Sequence, residues 1–375
     1  MGVDEISERS ARWAATMAGF AASDVVLAHH DSQPVVSDRT RSAQAIPTTR
    51  EEREERLNDL LGADAARCAG AGNRLRPEEP DEFRTCFERD RDRILHSSAF
   101  RRLAGKTQVF IFPEDHVRTR LTHALEVAQV ATGIARALGL NEALTEAIAL
   151  GHDCGHGPGG HASEEALDAF VPGGFDHAPW GARVSLATLN LCAETLDGVA
   201  NHSWSRPAPS SLEGEVVSWA DRVAYVCHDF EDAQSVGLVE ASDLPSLVRE
   251  VAGSRRGGQL GAFLSAIVRT ARERGVIGMD ERHAEALAAF RSFNYERIYL
   301  TSAARDQAEA VIEMLRALVT FYAREPELVP DYVAGADPLH EAVAYVAGMT
   351  DRFACRRALD QLGWSAERLP SALDY

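Results

Sequence analysis

The sequence predicts an all-α fold. Apolar residues recur at helical spacing through most of the chain beyond residue 50, and no alternating apolar and polar run is long enough to indicate a strand. The chain has 375 residues, 45% of them hydrophobic, which is enough to bury a sizeable core, and no repeat of fixed period is present. We expect a mobile N-terminal leader at 1–50, a helical core at 51–240 and a helical C-terminal region at 241–375 packed on that core.

The predicted elements follow in chain order. The leader carries one short helix near residues 8–22 and no further periodicity. A charged helix starts at residue 51, and a loop rich in Gly and Pro follows at 70–80. The remaining helices are predicted at 87–103, 117–138, 141–150, 162–170, from after residue 177 to 191, 211–234, 246–251, 259–273, 280–290 and 304–324, with two more near the C-terminus.

Charge and composition argue against several protein classes. A net charge of -18 argues against nucleic acid as the main partner, because phosphate backbones are bound by clustered Lys and Arg. The six cysteines are scattered without a CxxC pair, which indicates neither a disulfide framework nor a thiolate zinc site. The N-terminus has no basic segment before an apolar run, and no stretch is apolar enough to span a bilayer. We therefore expect a cytoplasmic protein without a membrane partner.

Residues 151–161, GHDCGHGPGGH, contain three histidines, one aspartate and five glycines. The adjacent His152 and Asp153 offer an imidazole nitrogen and a carboxylate oxygen to one point, which suits a divalent ion of the Mn, Fe, Co, Ni or Zn group. An isolated His-Asp pair at a helix end is more often a capping arrangement. The glycines allow a sharp turn close to a ligand.

Two other predicted helices direct ionisable side chains inward. His123 shares an apolar stripe with Val127, Val130 and Ile134, although a lone core histidine is more often a hydrogen-bonded packing residue than a ligand. Asp221 lies on a stripe that is otherwise apolar apart from one histidine. An uncompensated buried carboxylate costs several kcal/mol, so Asp221 needs a metal or an arginine beside it.

Together these segments present two imidazoles and two carboxylates to a common interior. Such a set neutralises a divalent ion and leaves positions open for water and substrate, as in catalytic rather than structural metal sites. Arg118 and Arg120, one turn before His123, add positive charge to the same place. Gly105-Lys106-Thr107 is not a phosphate-binding P-loop, because Phe100 stands where that loop needs a glycine.

With these residues in view, the sequence resembles the HD-domain superfamily of metal-dependent phosphohydrolases, and within it the dGTPase-like deoxynucleoside triphosphate triphosphohydrolases. The likeness covers residues 87–239 and implies an HD-domain helical core with additional C-terminal helices. The motifs that carry it are RRL at 101–103, KTQVF at 106–110, RTRLTH at 118–123, the 152–161 loop, FDH at 175–177 and ADRVAY at 220–225.

The resemblance implies the chemistry as well. Family members cleave a dNTP between the 5′ oxygen and the α-phosphorus, releasing deoxynucleoside and intact triphosphate. The implied metal ligands are His123, His152, Asp153 and Asp221, holding Mn²⁺, Mg²⁺, Fe²⁺, Co²⁺, Ni²⁺ or Zn²⁺. The implied catalytic residues are His156, His161, Glu164 and His177. His161 would give a proton to the leaving oxygen while Glu164 holds and polarises it.

The same comparison implies how the substrate is held. Arg120 and Arg222 would clamp phosphates, because a guanidinium fork matches phosphate oxygens. Gln108 would bind the sugar 3′ hydroxyl, and Tyr225 would pack under the deoxyribose and crowd out a 2′ hydroxyl. A homo-oligomer is expected from the family.

Three stretches differ from the family pattern. Residues 157–160, GPGG, stand where many relatives have a Pro-Pro-Phe-Gly type sequence, which predicts a more mobile loop without an aromatic wall. Residues 178–181, APWG, replace the usual Asn and Gln-Ser. The C-terminal third resembles the family loosely, through 293–296 and Tyr299. Two alternatives stay open: another HD phosphohydrolase acting on nucleoside monophosphates, cyclic nucleotides or alarmones, or a nucleotide-binding regulatory protein with little turnover.

Overall fold

The computed structural model describes residues 8–16, 20–22, 25–27, 48–113 and 116–371. Within these ranges the predicted all-α class is confirmed. The helices are α1 (Glu8–Thr16), α2 (Arg50–Leu60), α3 (Cys86–Leu95), α4 (Ser98–Arg102), α5 (Arg120–Leu138), α6 (Glu142–Gly151), α7 (His161–Asp168), α8 (His177–Trp180), α9 (Ala193–Asn201), α10 (Leu212–Ser235), α11 (Ser246–Val251), α12 (Arg256–Arg274), α13 (Glu281–Asn294), α14 (Ser302–Arg324), α15 (Pro338–Ala347) and α16 (Asp351–Leu362). None of the described helices is both long and apolar enough to pass through a bilayer.

Residues 1–47 form a compact unit of their own. The short helix predicted near 8–22 is present as α1 (Glu8–Thr16), but the prediction was wrong at residues 20–22, where β1 (Phe20–Ala22) pairs antiparallel with β2 (Val25–Leu27). Aromatic and β-branched side chains favour strands, and this short hairpin carries three of them. The mobile segment predicted for the rest of the leader falls mainly on residues 28–47, outside the described residues.

In the second unit, residues 48–375, the central helices are α5, α6 and α10, which pack on one another. The buried stripe predicted on α5 is present, with Val127, Val130 and Ile134 each at most 2% exposed. Gly139, in the left-handed conformation with φ of 68°, ends the helix. Helices α11–α13 join this core, whereas α7 and α14–α16 form a second core. The boundary predicted at residue 240 stays a prediction.

Two predicted helices are interrupted. The helix expected at 87–103 divides into α3 and α4, because the Ser97 side chain accepts a hydrogen bond from the Phe100 amide and caps a new helix. The helix expected to reach residue 191 ends as α8, followed by a π-helical turn (Gly181–Ser185) and a 3₁₀ turn (Ala187–Leu189).

Helix α9 was missed by the sequence reasoning. It contains Gly198, which usually weakens a helix. A Cβ atom at this position would lie 2.4 Å from Cδ1 of Ile148, so the glycine allows α9 to approach α6 closely. The glycine serves packing between two helices, which no local pattern displays.

Candidate active site

The four residues predicted to bind metal converge at one place. His123 comes from α5, His152 and Asp153 from the end of α6, and Asp221 from α10. Nε2 of His123 lies 3.1 Å from Oδ1 of Asp221, and Nε2 of His152 lies 3.7 Å from the same oxygen. Oδ1 of Asp153 is 3.5 Å from Nε2 of His152. His123, His152 and Asp153 each offer one ligand atom within 4.8 Å of the others.

The chemistry of this cluster fits a divalent metal ion. Nδ1 of His152 donates to the Ala149 carbonyl at 2.6 Å, which leaves the lone pair on Nε2. That Nε2 atom is buried and has no hydrogen-bond partner among the described residues. Burial raises the pKa of Asp153, but nearby positive charge, including that of Arg120, outweighs it and holds the pKa well below its usual range. A free imidazole lone pair beside ionised carboxylates is the donor set that Mn, Fe, Co, Ni or Zn ions accept.

The two arginines near His123 differ in role. Arg120 is 1% exposed, and its Nη1 donates to Oδ2 of Asp153 at 2.7 Å. Its Nε and Nη2 atoms have no partner among the described residues and can donate to a ligand. Arg118, which we expected beside the same site, is instead paired with three acids, Glu126, Glu231 and Asp232, so that expectation was wrong.

Glu164 supports a different histidine from the one predicted. Its Oε1 atom accepts hydrogen bonds from Nδ1 of His177 at 2.6 Å and from the His177 amide at 3.1 Å. No hydrogen bond joins Glu164 to His161 among the described residues, and the role of Glu164 beside His161 stays a prediction. The chain reverses between α7 and α8 and brings residue 177 over the first turn of α7, which sequence spacing does not reveal.

His202 is a site residue that the sequence reasoning missed. Its Nδ1 donates to the Val199 carbonyl at 2.8 Å, so its Nε2 is an acceptor, 3.2 Å from Nε2 of His177. His177 can therefore donate from both ring nitrogens, to His202 and to Glu164, an arrangement that favours its imidazolium form. Burial lowers the pKa of His177, but the Glu164 carboxylate more than offsets this and raises it. No motif in the sequence marked His202, which directly follows α9, the helix that we did not predict.

His156 and His161 lie on the same wall. The His156 ring stacks on His177 with centroids 3.7 Å apart, and its Nε2 is 3.2 Å from Oδ1 of Asp153. His161 begins α7, and its ring centroid is 5.1 Å from that of His156. Desolvation at the cavity wall, followed by the Arg120 charge, lowers the pKa of His161 to about 4. Without substrate, His161 is therefore neutral near pH 7, whereas the hydrogen bonds of His177 favour its charged form.

All these side chains meet at a cavity of about 650 Å³. Every predicted site residue except His152 lines it, and His152 lies behind Asp221 and Asp153. The cavity thus joins the His/Asp cluster to the residues predicted to bind substrate, which are Gln108, Arg120, Arg222 and Tyr225.

The far part of the cavity carries two arginines without a carboxylate partner among the described residues. The Arg222 guanidinium lies 3.6 Å from the centre of the Trp204 ring, and its Nε atom is buried without a hydrogen-bond partner. Arg291, from α13, donates from Nε to the Tyr225 hydroxyl at 2.8 Å. Sequence reasoning did not single out Arg291 or Trp204, because neither lies in a motif of the catalytic core.

Two family models match the chain: "HD domain" at residues 120–226 and "Phosphohydrolase-associated domain" at residues 277–359. The first range contains all four predicted metal ligands. The second contains Arg291, helices α14 and α15, and most of α16.

Several curated proteins named deoxyguanosinetriphosphate triphosphohydrolase-like protein are similar to this chain over most of their length. The one from Caldanaerobacter subterraneus subsp. tengcongensis is 43% identical, over 81% of this chain and 93% of its own. The one from Clostridium perfringens is 40% identical, over 75% and 87%. The one from Desulfatibacillum aliphaticivorans is 38% identical, over 83% and 97%. The chain therefore belongs to the family of deoxyguanosinetriphosphate triphosphohydrolase-like proteins, within the HD-domain phosphohydrolases.

Proposed function

We propose that this phosphohydrolase acts on deoxynucleoside triphosphates, dGTP among them, and releases deoxynucleoside and inorganic triphosphate. The observation that carries the proposal is the cavity in which Asp221 and His123 lie together with Arg120 and Arg222, whose guanidinium groups keep nitrogens without a partner among the described residues. A polyanionic tail fits such a cavity, because arginine forks match phosphate oxygens in both geometry and charge. The names of the relatives point to the same substrate class.

The His/Asp cluster would hold the divalent ion through His123, His152, Asp153 and Asp221. A bound ion supplies Lewis acidity to a phosphoryl oxygen and lowers the pKa of water. Arg120 holds the Asp153 carboxylate in place with Nη1 and keeps Nε and Nη2 for phosphate oxygens. Its charge would stabilise the negative charge that spreads over those oxygens during cleavage.

We assign proton transfer to the leaving 5′ oxygen to the histidine wall, the group formed by His156, His161 and His177. His177 carries the proton, because Glu164 and His202 accept from its two nitrogens. His161 faces the cavity as a neutral imidazole, and an arriving triphosphate raises its proton affinity by placing negative charge beside it. His161 remains our proposed donor to the leaving oxygen, with the His177 cation and His156 beside it.

Sugar recognition is proposed for Gln108 and Tyr225. The Gln108 Oε1 atom is buried without a partner among the described residues and can accept from a 3′ hydroxyl. The Tyr225 ring is fixed by the Arg291 hydrogen bond, so it cannot easily move away from a ribose 2′ hydroxyl. A cytoplasmic location and a homo-oligomeric assembly stay predictions.

The direct test is to incubate the purified protein with Mn²⁺ and each of the four dNTPs and four NTPs. Release of deoxynucleoside and inorganic tripolyphosphate, with dNTPs preferred over NTPs, is the expected result. Nucleoside monophosphate or diphosphate as the only product would contradict the proposal and favour another HD phosphohydrolase. Thermal stabilisation by dNTP without any product would instead favour a regulatory protein.

A further inference from the structure

A buried carboxylate from the C-terminal helices binds the loop that carries the catalytic histidines. Oδ1 of Asp351 accepts from the Gly159 amide at 2.9 Å, and its Oδ2 accepts from the Thr107 hydroxyl at 2.6 Å. Asp351 is the first residue of α16 and only 6% exposed. It lies outside the range that matches the HD domain.

A buried lysine makes a second connection at the same place. Lys106 is 3% exposed, and its Nζ atom donates to the carbonyl oxygens of His156 and Ala347. The acceptor at residue 347 is 2.9 Å away and ends α15. Lys106 and Thr107 therefore connect the His156–His161 loop to the C-terminal helices. The lysine donates to both, and the threonine hydroxyl donates to Asp351, which also binds the loop.

The ends of the loop between His156 and His161 are held by one side chain from α7: the Ser163 hydroxyl accepts from the Gly157 amide at 3.0 Å and donates to the Gly160 carbonyl at 2.6 Å. The four residues of the loop are three glycines and one proline, and Gly is the residue with the most conformational freedom to lose on folding. Gly159 has a φ of 73°, and a Cβ atom there would lie 2.5 Å from Val311 of α14. The loop is thus pressed against the C-terminal helices, and its conformation depends on groups outside it.

We propose that Asp351 is a positioning residue for hydrolysis: from the C-terminal helices it holds the His156–His161 loop so that His161 faces the phosphate part of the cavity. The proposal rests on the proposed function for its kinetic consequence, but not for its structural one. This role makes the C-terminal helices a part of the active site. Among the described residues, the Gly159 amide and the Thr107 hydroxyl have no acceptor here other than Asp351.

The kinetic test compares variants that lose or keep these hydrogen bonds. Asp351→Ala loses both acceptors, and Thr107→Val loses one donor. Asp351→Asn keeps an acceptor for the Gly159 amide and can donate its amide to the Thr107 oxygen, and Thr107→Ser keeps the hydroxyl. We expect kcat to fall about 10- to 100-fold in Asp351→Ala, with KM changed less than about threefold. Asp351→Asn and Thr107→Ser should remain within about fivefold of wild type.

The structural test follows hydrogen exchange of the peptide that covers residues 155–163. We expect exchange at the loop amides to become at least about tenfold faster in Asp351→Ala and Thr107→Val, and to stay near wild type in Asp351→Asn. Asp360→Ala, an exposed acid on the same helix, is the control that should change neither readout.

The outcomes separate the two proposals. If wild type hydrolyses no dNTP but the loop exchange responds as expected, the proposed function fails and the anchoring role of Asp351 stands. If wild type is active and Asp351→Ala keeps its kcat, the positioning role is overturned. Should Asp351→Ala not fold, Thr107→Val and Thr107→Ser give the same comparison across the Thr107 hydrogen bond alone.

Discussion

Oε1 of Glu164 lies 2.6 Å from Nδ1 of His177, and this pair is part of a chain of imidazoles. His177 continues to Nε2 of His202 at 3.2 Å, and the His202 ring lies 4.9 Å from that of His152, centroid to centroid. The Glu164 carboxylate thus favours a positive charge on the His177 ring, which lies beside the proposed metal ligands. Several consequences can be measured.

Glu164→Gln should lower kcat about 10- to 100-fold with little change in KM. The amide can still accept a hydrogen bond from His177, but it no longer provides the negative charge that keeps the ring protonated. The neighbouring Glu165 is exposed, so Glu165→Gln is the matched control and should retain wild-type kinetics. Equal loss in both variants would show that helix α7, and not the Glu164–His177 pair, carries the effect.

His152→Ala should abolish tight metal binding. The substitution removes a lone pair that has no other use in the buried site, and we expect the affinity for Mn²⁺ to fall by about 100-fold or more. The wild-type protein should gain about 2.7 kcal/mol of stability when Mn²⁺ is present at 100 times its Kd, and the variant at the same Mn²⁺ concentration should gain no more than about 0.4 kcal/mol. Metal content after dialysis and the Mn²⁺ dependence of Tm check this. His96→Ala, at an exposed histidine, should behave as wild type.

Because the Asp229 carboxyl is buried, we expect the free energy of unfolding to depend on pH. Burial raises its pKa to about 7, and the polar groups facing it are Tyr299, His123, Asp232 and Arg118. In the unfolded chain the pKa returns to about 3.9. Between these values the folded protein binds more protons than the unfolded chain, so the free energy of unfolding falls as pH rises from about 4 through 7.

Asp229→Asn should remove that contribution, because the amide does not ionise. We expect the metal-free variant to lose less stability between pH 5 and pH 8 than wild type, by on the order of 2 kcal/mol. Urea unfolding in EDTA at four pH values measures the difference. Parallel curves for the two proteins would assign the pH dependence to other groups.

Trp204→Ala should weaken substrate binding. The Arg222 guanidinium carbon lies over the indole, 3.6 Å from the ring centre, and a cation–π contact of this kind is worth about 0.5–2 kcal/mol. If Arg222 binds phosphate, losing the indole should raise KM about 3- to 20-fold and affect kcat less. Trp204→Phe preserves an aromatic ring, so its KM should lie between those of wild type and Trp204→Ala. A change in kcat alone would place Trp204 outside substrate binding.

Asp90→Ala should destabilise the fold without touching the cavity. Its carboxylate accepts from Arg74 at 2.6 Å, from the Cys192 amide at 2.8 Å and from the Thr195 hydroxyl at 2.7 Å. Both partners of the ion pair are at most 1% exposed. Removing the acid leaves Arg74 with Glu78 as its remaining carboxylate partner and leaves the Cys192 amide and the Thr195 hydroxyl without this acceptor, at a cost of about 2–4 kcal/mol. Glu313→Gln, in an exposed ion pair, should cost less than about 1 kcal/mol. Denaturant unfolding compares the two.

The sequence alone determined which helices carry the site and which faces turn inward. The placement of His123 and Asp221 among apolar neighbours follows from a period of 3.6 residues, and that period is a local property of the chain. The motifs at 106–110, 118–123 and 152–161 were likewise recognisable from the sequence alone. These features needed no knowledge of what each helix packs against.

The tertiary structure alone decided which side chains meet. Glu164 binds His177 rather than His161, and Arg118 is taken by three acids, because the reversals between helices bring these groups together. His202 and Asp351 reach the site from segments with no recognisable motif. Contacts between distant residues depend on helix packing, caps and breaks, whose energies arise only once both partners are in place, so no local pattern could predict them.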